Sequence, residues 1–394
     1  MVLDINRLRS DTPGCHGVIH LNNAGSALSP SIVVDTVVEH LRREEMIGGY
    51  EAHAEAGERL ESVYGSIGRL LATRPEQIAL VESATEGWSR GFQAIAFTRG
   101  FSADDRILVS SAEYASNVLP ILQVAAASGA QVEFIPDDEA GCVDVAALAN
   151  LMDERVAVVA ITHCPSQNGL INDVTAVGDV VRDSDAWYLV DACQSAGQIP
   201  LDAGVIGADF LSATGRKFLR GPRGTGFLYA SDRALADLEP FPLDLHSATW
   251  LSHDYAIRSG GRRFEYWERA YALQLGLGAA IEYALDLGID EIAERIGVVA
   301  TRAREGLAAI DGVMVRDRGT RRSGIVTFTS ATMPADELVP LIKAAGINVS
   351  LSTADYARVD FDTHGISSQV RVSPHAYTTE DEIDALIDVV TRFS

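Results

Sequence analysis

From about residue 75 the chain alternates short apolar, β-rich runs with amphipathic stretches, the pattern of parallel strands joined by crossover helices. Strands are expected at Ile78 to Val81, Arg106 to Ser110, Val132 to Pro136, Val156 to Thr162, Trp187 to Asp191, Phe210 to Ala213 and Thr225 to Tyr229. Several are apolar throughout, which fits a sheet covered on both faces. After Phe241-Pro242 the pattern changes to an irregular stretch, then two long helical patterns at about 268 to 308, then strand-like runs near 324 to 329, 346 to 351 and 369 to 373. A last helix is expected from Thr379 to Phe393, opening on Thr-Glu-Asp-Glu, whose acidic residues suit a helix N-terminus. These elements predict an α/β fold with an N-terminal arm (1–20), a large, mainly parallel seven-stranded α/β domain (21–255) and a smaller α+β domain (256–394).

Composition agrees with this reading and narrows the partners. A chain of 394 residues, 47% hydrophobic and 22% charged, has ample material for two cores sharing a cleft. Its net charge of -23 opposes nucleic acid or an anionic membrane surface as general partners and leaves small molecules as the better candidates. No apolar stretch reaches the roughly 18 residues of a spanning helix, so a cytoplasmic protein is expected. Cys15, Cys142, Cys164 and Cys193 are scattered, with neither a CxxC pair nor a metal-ligand spacing with histidine. His20, His163 and His375 read as hydrogen-bonded structural residues.

Only two lysines occur, Lys217 and Lys343, against 30 arginines. Lys343 lies in the amphipathic run PADELVPLIKAAG, where a solvated lysine is ordinary. Lys217 follows the strand ADFLSATG and precedes the glycine-rich FLRGPRGTGFLY, so it sits at the C-terminal end of a sheet strand, where open α/β sheets bind ligands. A basic loop residue is the plain alternative, and its neighbours weaken it. The apolar run WYLV ends in Asp191, and a carboxylate closing a buried strand is costly unless it is paired. A protonated pyridine nitrogen is a suitable partner, which makes the ring an electron sink. The strand IALVES runs into Ser83-Ala84-Thr85-Glu86-Gly87 and a helical stretch, where hydroxyls and free N–H groups meet at a helix N-terminus suited to phosphate. Capping alone would account for Ser83 or Thr85; Thr214 and Arg216 add further phosphate-ready groups beside Lys217. Lysine, ring acid and phosphate seat together point to pyridoxal 5'-phosphate.

Six motifs then occur in one order: LNNAGSA at 21–27, SATEG, EYASNVLP at 113–120, DACQSAG at 191–197, TGRKFLRGPRGTG and RVSPHAYTTEDEIDAL. Over nearly the whole chain they resemble the class V aminotransferase and cysteine desulfurase family of fold-type I pyridoxal-phosphate enzymes. The segment GGYEAHAEA at 48–56, Tyr114 and RRFEYWE look most like its C–S lyase branch. The resemblance implies that Lys217 carries the cofactor as a Schiff base and that Asp191 meets the pyridine nitrogen. Ala84, Thr85, Thr214 and Arg216 would bind the phosphate, and Gln194 would touch the ring hydroxyl. Tyr114 falls where the family usually stacks a histidine on the ring, and Ser166, in HCPSQNG, where desulfurases commonly carry asparagine. Arg371 would clamp the substrate carboxylate, with Asn23 and Ala24 lining the substrate side. A homodimer with its active site at the subunit interface is also implied.

Two departures shape the expected activity. The family's desulfurases carry a sulfur-accepting cysteine shortly before the carboxylate arginine, yet LSTADYARVDFDTHGISSQV at 351–370 has none. In addition, RRFEYWERA at 262–270 replaces the Gly-Thr-Pro stretch through which many relatives lend a phosphate ligand to the neighbouring subunit. The expectation is a lyase that cleaves the C–S bond of a cysteine S-conjugate or related sulfur amino acid by Cα deprotonation and β-elimination. An aminotransferase or epimerase of a small amino acid, or decarboxylation-linked deamination, shares the same first steps. A non-catalytic scaffold is opposed by the retention of both Lys217 and Asp191.

Overall fold

The computed structural model describes residues 3–393. Helices Ser31–Ile47 (α1) and Gly57–Leu70 (α2) precede a seven-stranded sheet. Its strands are Ile78–Val81 (β1), Arg106–Ser110 (β2), Gln131–Ile135 (β3), Val156–Thr162 (β4), Trp187–Asp191 (β5), Phe210–Thr214 (β6) and Gly226–Ala230 (β7). Helix Ala84–Arg99 (α3) follows β1, and Ala115–Ser128 (α4) follows β2. The order across the sheet is β1-β7-β6-β5-β4-β2-β3, with β7 alone running antiparallel to its neighbours. This central sheet is joined by a smaller C-terminal unit, the two-part α/β arrangement expected from the sequence.

All seven expected strands form, with ends displaced by at most one residue. Six of them, β1, β2, β4, β5, β6 and β7, are buried at every position, which explains why they read as continuous apolar runs rather than alternating ones. β3 stops before Pro136, which has no N–H to give a ladder.

The smaller unit follows helices Tyr271–Leu287 (α5) and Ile289–Ala308 (α6). It contains Val313–Val315 (β8), Val326–Ser330 (β9), Ser350–Thr353 (β10) and Ser368–Val372 (β11), in the order β8-β9-β11-β10, covered by Glu380–Phe393 (α7). β8 was not expected from the sequence: it is three residues long and only half-buried, too short to show a period. The expected strand at 346–351 divides into Ile347–Asn348, which pairs with Ile19–His20, and β10. The irregular stretch contains a small hairpin, Ala248–Trp250 with Tyr255–Ile257. Apolar residues on both sides of residue 255 share the large-sheet core, since Phe264, Leu277 and Ile281 pack there, whereas Leu21 lies in the core of the smaller unit. Helix α7 opens on a reciprocal cap: the Thr379 N–H donates to Glu382 Oε2 at 2.9 Å, and the Glu382 N–H donates to Thr379 Oγ1 at 3.3 Å. No single helix among the described residues is long and apolar enough to cross a membrane.

Two glycines allow the sheet's C-terminal edge to close around Lys217. Gly197 has φ +88°, and a Cβ there would lie 2.7 Å from the Phe218 carbonyl and the Leu219 nitrogen. A Cβ on Gly226 would lie 2.6 Å from the Ala213 carbonyl oxygen and 2.9 Å from the Ser83 carbonyl carbon, so glycine lets the start of β7 run beside the head of α3. Both obstacles are backbone, which cannot rotate aside. Gly197→Ala is therefore expected to destabilise the fold by roughly 2–4 kcal/mol, the sum of left-handed strain and overpacking. Urea unfolding checks it, and a loss below about 0.5 kcal/mol, the range of ordinary surface substitutions, would contradict the close approach.

Candidate active site

Lys217 stands in the loop that leaves β6 and returns as β7. The loop is closed on itself, with the Arg220 N–H donating to the Lys217 carbonyl and the Gly221 N–H to the Gly215 carbonyl, both at 2.8 Å. Apolar Phe218 and Leu219 anchor it from below, leaving Lys217 only 8% exposed and in no ion pair among the described residues. It lines two adjoining cavities of about 310 Å³ each, which share Tyr114, Arg216, Lys217 and Arg223 as a common wall.

The first cavity is bounded by Ala24, Ser166, Gln194, Tyr356 and Arg371. Arg371, on β11, donates through Nη1 to the Ser166 carbonyl at 3.0 Å and through Nη2 to Asn22 Oδ1 at 3.4 Å, while its Nε has no partner. Burial lowers its guanidinium to about 10, which still leaves it charged at neutral pH, and no described carboxylate pairs with it. A charge held this way is set to receive an anion. The Gln194 amide donates to the Ala24 carbonyl at 3.1 Å, and its Oε1 is buried without a donor. The Tyr114 and Tyr356 rings are parallel within 6°, with centroids 6.4 Å apart.

The second cavity contains Ala84, Thr85, Asp191, Cys193 and Thr214. Ser83 caps α3 by accepting the Glu86 N–H at 3.1 Å, while the first N–H groups of the helix remain for a ligand. Thr214 Oγ1 donates to the Thr225 carbonyl at 3.1 Å, and Arg216 donates to the Gly25 carbonyl. Asp191, 5% exposed, accepts the Cys193 N–H at 2.7 Å and the Asn117 amide at 2.8 Å. Burial raises its carboxyl, and Lys217 opposes that rise.

The structure thus gathers Lys217, Asp191, Ala84, Thr85, Tyr114, Ser166, Gln194, Thr214, Arg216, Ala24 and Arg371 around one double cavity. Asn23 is the correction. It is fully buried, with its amide donating to the Ser373 carbonyl at 2.7 Å and to His20 at 3.3 Å and its oxygen accepting from Tyr377, so it braces the loop instead of facing substrate. Its neighbour Asn22 lines the cavity. Sequence reasoning also missed Arg223, Tyr356 and Cys193. Cys193 was visible inside DACQSAG; Tyr356 reaches the site only through the long-range packing of the smaller unit.

The residues fit pyridoxal phosphate. Free helix N–H groups and Arg216 lie at one end, a buried acid lies opposite Lys217, and the orphaned Gln194 oxygen suits a ring hydroxyl. Fold and site define a pyridoxal-phosphate-dependent enzyme. Residues 19–386 match aminotransferase class-V, and the chain belongs to that family. It is 29% identical to a probable cysteine desulfurase of Methanothermobacter thermautotrophicus over 96% of this chain and 95% of that protein, and 27% identical to one of Halobacterium salinarum over 98% and 96%. Among solved structures, the cysteine desulfurase from Thermococcus onnurineus NA1 superposes with a TM-score of 0.91 at 25% identity, covering 100% of this chain and 99% of that one. The cystine C-S lyase C-DES, in complex with its product cysteine persulfide, shares the fold at a TM-score of 0.86 and 22% identity, covering 97% and 100%.

The Lys217 loop is held from the other side by His375. Its Nε2 donates to the Phe218 carbonyl at 3.0 Å and its Nδ1 accepts the Ala376 N–H at 2.8 Å, an arrangement only the neutral Nε2–H tautomer satisfies. Burial lowers the ring to about 3, so the folded chain binds its proton far less readily than the unfolded one. The stabilisation is complete above the unfolded pKa near 6.5 and is lost as pH falls toward 3. Between pH 7 and pH 5 this residue should cost about 2 kcal/mol of stability. His375→Gln should flatten the fall of the denaturation midpoint over that interval; an unchanged pH slope would contradict the assignment.

Proposed function

We propose that the protein is a lyase that cleaves the C–S bond of a cysteine S-conjugate or related sulfur amino acid by β-elimination, releasing a thiol, pyruvate and ammonia. C–S cleavage of cysteine-like substrates is supported by the curated relatives, and the finer choice rests on one observation. The wall of the substrate cavity formed by Ser350, Leu351 and Tyr356 carries no thiol, and no cysteine lines that cavity. Cys193, on the cofactor side, is held protonated by burial. With no acceptor for a persulfide, the sulfur leaves on its own substituent.

The residues divide the work as follows. Ala84 and Thr85, with Thr214 and Arg216, would hold the phosphate; Gln194 would meet the ring hydroxyl, Tyr114 would cover the ring face, Ser166 would border it, and Asp191 would hold the proton on the ring nitrogen. When bound, pyridoxal phosphate supplies an electron sink for the pair released at Cα. Arg371 grips the substrate carboxylate through parallel hydrogen bonds and so aims the Cα–H at Lys217. The Lys217 amine removes that proton, and the leaving sulfur departs from Cβ with the electron pair. Ala24 lines the substrate side. A cytoplasmic homodimer with the active site at its interface accords with four free cysteines and with exposed Val34, Val38, Leu41, Tyr50 and Trp267.

Lys217→Ala should lose turnover and the yellow colour of the cofactor-bound protein while keeping its fold by circular dichroism. Arg371→Lys, which keeps the charge but not the fork, should lower kcat/KM for S-conjugates by roughly a hundredfold. The deciding assay measures thiol, pyruvate and ammonia together. Equal amounts support elimination; a keto acid formed with amination of the cofactor and no thiol would replace this reading with transamination.

A further inference from the structure

Beneath Asp191 lies a second carboxylate that the reaction above does not use. Glu113, in the turn between β2 and α4, is 2% exposed. The Asn117 Nδ2 donates to Glu113 Oε1 at 2.7 Å and to Asp191 Oδ2 at 2.8 Å, so one amide group bridges the two acids. Thr162 Oγ1 donates to Glu113 Oε1 at 2.5 Å, and Ser110 Oγ donates to Oε2 at 2.8 Å. Ser110, Thr162 and Asp191 are the last residues of three adjacent strands, β2, β4 and β5, so the sheet itself fixes the cluster.

Every hydrogen bond of the Glu113 carboxylate is one it accepts, the surroundings of an ionised carboxylate. No arginine, lysine or histidine pairs with it among the described residues. The titratable groups facing it are Asp191 and Tyr188, and the Tyr188 hydroxyl is spent on the Val174 carbonyl at 2.8 Å. Asp191 in turn faces Lys217, Cys193, Tyr114 and Cys164. Burial raises both carboxyls, and the charge of Asp191 raises that of Glu113 further. A cation held by Asp191 relieves both, and by reciprocity both favour that cation.

We infer that Glu113 is a positioning residue for the cofactor's ring proton: a second anion, tied to Asp191 through Asn117, that strengthens the hold of Asp191 on the protonated ring nitrogen. The inference rests on Asp191 facing that nitrogen, as proposed above. Glu113→Gln keeps the size and an acceptor oxygen for Asn117 and Thr162 but removes the charge. A purely structural brace would survive this change.

The experiment is a pH titration of the holoenzyme reconstituted with cofactor labelled with 15N in the ring, read by the nitrogen chemical shift. In Glu113→Gln the ring nitrogen should lose its proton at a pH lower by about one unit, a tenfold drop in proton affinity. kcat should fall with KM nearly unchanged. Thr162→Val, which removes one donor and so favours neutral Glu113, should shift the titration in the same direction by less, and it serves if Glu113→Gln fails to fold. A wild-type titration in either folded variant, with Asp191→Asn strongly shifted, would overturn the inference and leave the function intact. An unshifted Asp191→Asn would overturn the ring assignment, and this inference with it.

Discussion

A carboxylate at the end of a fully buried strand has lost its water, and the loss must be met by donors or cations placed with the same precision as the strand. Asp191 meets it with the Cys193 N–H, the Asn117 amide and the nearby charge of Lys217. Each of these comes from a different chain segment, so the acid can be buried only when the end of β5, the first turn of α4 and the β6–β7 loop are all in register. The parallel pairing of Thr162 with Asp191 and of Asp191 with Ser212 supplies that register. The fold is thus tied to a buried acid that lines the cavity, which is why the site's chemistry and the sheet's architecture cannot be separated.

The Lys217 loop distributes the same constraint outward. The Arg216 carbonyl accepts the Ala27 N–H at 2.8 Å, and its guanidinium binds the Gly25 carbonyl, which fastens the N-terminal loop to the lysine. The Phe218 carbonyl is held by His375, and the Phe218 ring stacks on the His375 ring with centroids 5.8 Å apart. Gly197 presses from beneath. Lysine, N-terminal loop and the segment after β11 therefore form one mechanical unit, and Arg371 is only a few residues from that anchor. The separation of Lys217 and Arg371 across the cavity is set by this unit, and neither side chain's rotamer fixes it alone.

The seven strands and the place of Lys217 at a strand end lining the cavity were legible because each depends on local pattern: buried parallel strands announce themselves as apolar runs, and a lysine between a strand and a glycine-rich return marks the sheet's C-terminal edge. Asn23 and Asn22 show the limit. Adjacent asparagines in Asn-Asn-Ala-Gly are chemically alike, and which one faces the cavity is decided by the Tyr377 hydroxyl and the Ser373 carbonyl more than 300 positions away. Tyr356 was hidden for the same reason. Glu113 and Asn117 were on the page in EYASNVLP, spaced four apart, but their meeting with Asp191 exists only once three strand ends are aligned. Long-range register, unlike periodicity, leaves no local trace.

Charge placement separates the cavity from the rest of the molecule. The chain carries a net charge of -23, yet the substrate cavity is walled by Arg216, Lys217, Arg223 and Arg371 and has no acidic residue in its lining. A cationic recess in an anionic surface focuses its field inward and favours ligands that bring their own negative charge. One arginine is enough for an amino acid's carboxylate and another lies by the phosphate seat; Arg223 is exposed and unpaired among the described residues where the two cavities meet. Selection at this site therefore favours small anionic ligands, and the Tyr114 and Tyr356 rings complete the wall that such a ligand meets. On the proposed lyase reading, the cationic lining would hold the amino-acid end of the substrate, and the sulfur end would face a cavity lined by no cysteine.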